Sequence, residues 1–383
     1  MEQEYRISTW NKFFYGFFAL IIFGASIFFF YVIITKNLIL LVVPLSLLII
    51  SVLIVINFIR RKLVIDEKSL LCVNLFSKKE LNLSSIKGYR FNGKMIKVEP
   101  ISETDAIINI GNYIDFENSE SFIEWIIKNF KDLDALDLEI ENHNFLKDST
   151  FGFSETERLE KLKTTKEIAT AYNFISGFLA FIFLFIKNNV SYIILLTLPI
   201  IGIILLFRFD LIKFLSNPKR SIYAYIFIGF SIPCFTLLLK TSEFKILSFD
   251  NIWLSIGIIF SIMFGLLCFK GINKSVESVL GQIILMLIVS VLYGFASVRT
   301  INCVFDKSRE IIYNANVIDQ HISSGRHTTY YLKLGTWGPQ NKNENVEVSK
   351  KMYNKTQIGD TVNVKYKEGF LKSPWFVITS KQK

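Results

Sequence analysis

Three groups of side chains in this 383-residue chain have types and spacings that could carry chemistry. Gly88 to Lys94 fits the GxxxxGK spacing of a loop whose backbone amides and lysine cradle phosphates. Such a loop needs Ser or Thr after the lysine for magnesium and must join a strand to a helix. Met95 follows Lys94 and the surroundings read as a β-hairpin, so nucleotide binding is not expected. His321 and His327, with Ser323, Ser324 and Arg326 between them, have no metal-ligand spacing. No orienting acid or oxyanion site can be placed beside them, as serine–histidine catalysis would require. The third group is cationic: ten basic and three acidic residues lie from Arg60 to Lys97, after which acids predominate up to Glu160.

HExxH and GxSxG are absent, and Cys72, Cys234, Cys268 and Cys303 form no CxxC. The cysteines read as small buried apolar groups. No catalytic residue, metal site or cofactor is assigned, and a non-enzymatic role is expected.

These groups must be positioned by elements that are mostly apolar. Hydrophobic residues make up 51% of the chain, with 37 Phe and a mean hydropathy of +0.40. Seven runs near 13–34, 38–59, 169–186, 191–207, 221–239, 252–270 and 279–298 approach the ~20 apolar residues that cross a bilayer as a helix. The expected architecture is therefore an α-helical polytopic membrane protein of about seven transmembrane helices. The first run is too long, and too soon followed by a second, for a cleaved signal peptide.

Lys and Arg concentrate on the cytoplasmic side of spans. The N-terminal tail, the loop opening with Arg60-Arg61-Lys62, the 208–220 connection and Lys270 with Lys274 are basic, while the alternate connections are poor in cations. This pattern places the N-terminus in the cytoplasm and the segment after Val298 outside. Trp10, Tyr15, Tyr172 and Trp253 occupy interface positions. Ionisable residues are almost absent from span interiors, which argues against ion-coupled transport. Small residues at Gly257, Ser261 and Gly265, echoed by Ser290 and Gly294, predict close helix packing. Pro44, Pro199 and Pro233 fall within spans, where kinks are expected.

Residues 60–130 form the first soluble module. Short β runs at Lys62–Ile65, Leu70–Phe76, Glu80–Leu83, Ile86–Phe91, Met95–Val98 and Ala106–Ile110 are separated by polar breaks. Ser121 and Glu124 make a capping box for a helix with Phe122, Ile123, Ile126, Ile127 and Phe130 on one face. Over 62–130, the opening Leu63–Glu67, the Leu83–Ile86 start of a strand and the closing Phe122–Phe130 helix resemble the bacterial pleckstrin-homology-like domain. That resemblance implies a β-barrel closed by a C-terminal helix, and a binding module rather than a catalyst.

Lys78, Lys79, Lys87, Arg90, Lys94 and Lys97 are the expected contacts to the anionic inner leaflet, although the topology rule alone would also account for them. Residues 131–168 read as an acidic linker followed by a juxtamembrane helix with a second capping box, Ser154 and Glu157. The five remaining spans form a bundle over 169–298.

Residues 299–383 read as five strands of a small β-barrel, at Ile311–Asp319, Tyr330–Gly335, Val346–Ser349, Thr361–Tyr366 and Trp375–Thr379. The segments around His321–Tyr331 and Gln357–Tyr366 are similar to a β unit of bacterial membrane proteins of unknown function. The order of the whole chain resembles an uncharacterised multi-pass family of that kind, which implies a cell-membrane location and no activity. Arg326, His327, Tyr330, Tyr331 and Trp337 are the expected contact surface for an envelope partner. The tail's net charge of about +7 favours an anionic one. A non-catalytic adaptor or envelope sensor, binding membrane lipids and protein partners but no nucleic acid, is the expected role. The alternative is a transporter or lipid-handling permease.

Overall fold

The computed structural model describes residues 3–33, 41–186, 188–274, 278–324 and 328–380. The chain divides into two compact units, Met1–Asn144 and Phe145–Lys383.

In the first unit, strand β1 (Gln3–Arg6) leads into helices α1 (Thr9–Ile33) and α2 (Val42–Arg60), which pack as an antiparallel hairpin. Strands β2 (Lys62–Ile65), β3 (Ser69–Val73) and β4 (Lys78–Asn82) follow, then β5 (Ile86–Asn92), β6 (Met95–Pro100) and β7 (Ile108–Ile110). The strands make an antiparallel four-stranded sheet, β1-β2-β3-β4, and a three-stranded one, β5-β6-β7. Alternating apolar residues, among them Leu63, Ile65, Leu70, Cys72, Ile96, Val98, Ile108 and Ile110, fill one core, which Phe122 and Ile126 of α3 (Ser119–Asn129) close. The N-terminal segment is thus part of the β module. Because β1 pairs with β2 across the hairpin, both ends of the hairpin lie on one side of any bilayer it crosses.

Asn118, in the left-handed region at φ 53°, is the N-cap of α3, three residues before Ser121. The Ser121 hydroxyl therefore donates to the Asn118 carbonyl instead of capping the helix. The expected acidic linker is itself helical, as α4 (Leu133–Lys147).

The second unit holds α5 (Glu155–Phe185), α6 (Asn189–Arg208), α7 (Phe227–Thr241), α8 (Trp253–Gly271) and α9 (Val279–Val304). Ser154 caps α5 by accepting from Glu157 N at 3.1 Å, as the sequence pattern requires. Among the described residues, six helices, α1, α2, α5, α6, α8 and α9, are long and apolar enough to cross a membrane, as befits a membrane-embedded protein. The remaining expected span contains α7, only 15 residues long, rising about 22 Å against a hydrocarbon core of about 30 Å. Residues 220–226 before it are non-helical and mostly buried, the setting in which irregular backbone is tolerated at membrane depth. Their extended course includes a short parallel pairing of β8 (Ile212–Lys213) with β9 (Ala224–Tyr225).

Polar side chains tie the bundle together. Asn173 donates to Tyr225 O and accepts from Gly229 N, both at 2.7 Å. Tyr172 and Tyr293 donate to the α6 carbonyls of Leu198 and Leu196. Tyr172 is therefore an interior strut rather than an interface aromatic.

All five expected tail strands form: β11 (Ile311–Ser324), β12 (Thr328–Leu334), β13 (Glu344–Val348), β14 (Thr361–Lys367) and β15 (Trp375–Ser380). A sixth, β10 (Lys245–Ile246), comes from the α7–α8 connection and extends the sheet to β10-β15-β14-β11-β12-β13. Helix α10 (Lys350–Lys355) links β13 to β14.

Candidate functional site

The lower rim of the N-terminal β module brings charge and apolar surface to the ends of the hairpin. Strand register aligns Arg6, Lys62, Val73 and Lys78 across the sheet. Residues paired in this way project to the same face, and Lys62 stands just beyond the end of α2. Glu4 bridges Arg6 at 2.9 Å and Lys62 at 3.1 Å. The adjoining β3–β4 turn raises Phe76 into solvent at 83% exposure. Lys94, in the β5–β6 turn, reaches the same end: its carbonyl accepts from Tyr113 N, and the preceding Asn112 carbonyl accepts from Arg61.

A buried knot joins this rim to the helices. Arg61 lies 3.5 Å from Asp115 and over the ring of Phe116. The same carboxylate oxygen, Asp115 Oδ2, accepts from the Tyr15 hydroxyl at 2.6 Å, while the Asp115 carbonyl accepts from Ser8 N and the Asn11 amide. Tyr15 is thus a clasp between α1 and the module, and not a free interfacial aromatic.

The six expected cations do not share one surface. Lys78 and Lys94 stand on the rim, whereas Lys87, at the start of β5, is exposed near its opposite end. Lys79 donates to the Ile107 carbonyl at 2.8 Å. Lys97 pairs with Glu99 at 2.9 Å. Arg90, with a side chain only 13% exposed, is held by Glu99, Asp134 and Asp137 at 3.0, 2.9 and 2.6 Å.

Burial alone would lower the Arg90 pKa, but the Asp134 and Asp137 hydrogen bonds and the Glu99 charge raise it above its ordinary value. Burial pushes Glu99 the other way and is outweighed by Lys97 and Arg90, which hold it below the usual carboxylate range. Arg90 is therefore fixed as a cation, and the acidic segment after α3 neutralises part of the basic module.

Gly88 makes this latch possible. A Cβ there would meet the Lys131 carbonyl and the Leu133 side chain, and Tyr89 N donates to Lys131 O at 3.0 Å. The GxxxxGK match is a hairpin: Gly93 turns it at φ 60° and β5 runs into β6.

In the second unit, Gly294 lies against α8, where a Cβ would stand 3.2 Å from Ile256 O and Phe260 N. Ser290 is buried and donates to Met286 O. Gly257, Ser261 and Gly265 lie on the exposed face of α8, and a Cβ on either glycine would meet nothing within 4 Å. The close approach is thus made by Gly294 of α9 against larger α8 residues, not by two matched stripes.

The tail surface is also reduced. Trp337, 4% exposed, packs between Tyr313 and Phe376 in the sheet core, so it is removed from the expected contact set. Tyr330 packs on Tyr353, and Tyr331 stacks on His321 with centroids 4.9 Å apart. Arg326 and His327 lie outside the described residues. Among the described residues, no three His, Cys, Asp or Glu side chains gather as a metal-ligand set.

Sequence reading missed two fixing points. Arg61–Asp115–Tyr15 joins residues a hundred positions apart, without local periodicity. The second is the tail junction. The Asn302 side chain accepts from Leu371 N at 3.0 Å and donates to Ser373 O at 2.8 Å. Asp306 accepts from Ser308 N, Gly369 N and Trp375 Nε1. Gly369, at φ 83°, permits the close approach of the 369–373 loop to Asn302.

No protein-family model matches this chain, and comparison with curated proteins and with solved structures likewise gave no match.

Proposed function

We propose that this chain is a bacterial inner-membrane adaptor or envelope sensor whose cytoplasmic N-terminal module reads anionic lipid and whose tail faces the envelope. Sidedness rests on the loop charges. The arrangement of four strands, three strands and a closing helix supports a pleckstrin-homology-like module, with a transmembrane hairpin inserted after its first strand. The observation that carries the reading is the rim: Arg6, Lys62, Lys78 and Lys94, against Glu4, surround the hairpin ends beside exposed Phe76. Cations next to an anionic leaflet gain about 1 kcal/mol each, and an aromatic ring adds interfacial burial. Arg90 and Lys97 are withdrawn from this surface by their carboxylates.

A test uses the full chain in nanodiscs with an environment-sensitive dye on Ser77→Cys. Dye emission should shift to the blue when neutral lipid is replaced by anionic lipid, and the combined K78E and K94E substitutions should abolish the shift. Equal emission in both lipids, or a shift that survives charge reversal, would refute lipid reading by this rim.

A further inference from the structure

Where the tail sheet meets the bundle, two cavities run together around the end of α7. One, of about 230 Å³, is lined by Leu184, Tyr192, Leu239, Lys240, Ser242 and Glu243. The other, of about 370 Å³, shares Ser242 and Glu243 with it. That second cavity continues into the seam between the β13 edge and β15, past Lys245, Glu347, Ser349 and the apolar Val346, Val348, Met352, Val377 and Ile378. The six-stranded sheet begins at two-residue β10 and ends at β13, so the seam is where its edges approach without pairing.

The chemistry changes along this crevice. Its bundle end opens on a flank of α5 and α7 that exposes Phe181, Phe185, Phe235 and Leu239, surface suited to acyl chains. Lys240 is buried and already committed: its Nζ donates to Phe183 O, Ile186 O and Ser191 Oγ, and it sits 4.2 Å over the Tyr192 ring. It closes the end of α5 and serves as a fixed wall. The groups facing the space beyond it are the carboxylate of Glu243, which also accepts from the Tyr192 hydroxyl at 3.4 Å, and the carboxylate of Glu347 with the ammonium of Lys245, which lies 3.9 Å from Glu347. Burial lowers the Lys245 pKa, and Glu347 opposes that effect. Two acceptors and one cation, adjoining an apolar slot open to the flank of the bundle, match an amphiphile carrying one primary ammonium and one phosphate.

We propose that this crevice holds a bilayer phospholipid with an ethanolamine-type headgroup. Its ammonium donates to Glu243 and Glu347, its phosphate faces Lys245, and one acyl chain lies between Leu184 and Leu239. A quaternary ammonium has no N–H to donate, so a choline headgroup loses these hydrogen bonds, and a glycerol headgroup lacks the cation. The proposal is independent of the leaflet reading of the N-terminal rim, because it concerns residues of the second unit only.

The test is photo-crosslinking of the full-length protein in nanodiscs doped with a diazirine-bearing phosphatidylethanolamine, phosphatidylcholine or phosphatidylglycerol of identical chains. Crosslinked peptides are then mapped. The expected result is labelling at 184–192 and 239–243 that favours the ethanolamine lipid by about tenfold, the lower end of what one charge-assisted hydrogen bond contributes. E243Q should remove most of that preference. If E243Q perturbs folding, E347Q, on the exposed side of β13, tests the same contact. Soluble phosphoethanolamine should compete weakly, because it lacks the chain; full competition would mean a headgroup site only and would overturn the lipid assignment. Equal labelling by all three lipids, or a preference unchanged by E347Q, would overturn it too.

Discussion

In the N-terminal unit the apolar helices interrupt a β module; in the C-terminal unit a β module is laid across the end of the helices. The first design sends the chain out through α1 and back through α2 between two strands that pair with each other. The second borrows β10 from an interhelical loop and clasps the end of α9 with Asn302 and Asp306. The helices differ to match. Among the polar links between α1 and α2 are Ser26 to Pro44 O and Ser51 to Ala19 O, and their outward faces are broadly apolar and exposed. Helices α5 to α9 bury tyrosines, Gln282, serines, threonines and a lysine among themselves. The contrast teaches that a hairpin anchored at both ends by its β module needs little interior adhesion, whereas the bundle must hold itself together and also carry a domain.

Removing Asp115 should break the comparison most severely. D115A leaves Arg61 buried without its carboxylate, at a cost of about 3–5 kcal/mol. Thermal unfolding in detergent should show the N-terminal unit melting first while the bundle transition stays in place. A single shared transition that moves as a whole would mean that the units are not independent.

The next largest effect is expected at the latch. G88V should push the 131–133 segment off β5 and expose it to limited proteolysis. R90A should leave Asp134, 5% exposed at its side chain, without its cation, at a cost of a few kcal/mol. Protection unchanged in both variants would show that the segment is held elsewhere.

The tail junction offers a pH readout. Burial raises the Asp306 pKa, but the Ser308, Trp375 and Gly369 donors outweigh burial and hold it below its ordinary value. A depressed carboxylate stabilises the fold above its unfolded pKa of about 3.9. That contribution is lost as pH falls through the still lower folded value. Tail unfolding should therefore be flat with pH in the neutral range and fall only below about pH 4, and D306N should flatten the acid limb.

The smallest effect belongs to the hairpin. S51A removes one hydroxyl-to-carbonyl bond and should cost about 0.6 kcal/mol, visible only as a slight shift in hairpin unfolding.

What could be read from sequence followed local periodicity. The apolar runs, the strands at 62–110 and the five tail strands alternate or repeat within a few residues, and they form nearly where expected. Partners distant in sequence left no such mark: β1, β10, the Arg61–Asp115 knot and the Asn302 clasp each join segments separated by long insertions. Spacing alone also misassigned faces. A four-residue repeat of small residues shows that α8 has a flat face; it does not say that α9 meets a different one, about 100° round the helix, at Ile256 and Phe260. Trp337 was placed on a contact surface by residue type, but a turn folds it into the core, where its ring packs on Phe376. The cationic set was visible as charge, while its division into a free rim and a neutralised latch depends on the register of β5 with β6 and on Gly88.

The most direct test of the account is sidedness, because an adaptor needs its two β modules in different compartments. In a C268S background, K87C in the N-terminal module and K342C in the tail are both exposed positions, and a membrane-impermeant maleimide reports each one in spheroplasts. The account predicts that K342C is labelled at once and K87C only after the membrane is permeabilised. Immediate labelling of both, or of K87C alone, would contradict it.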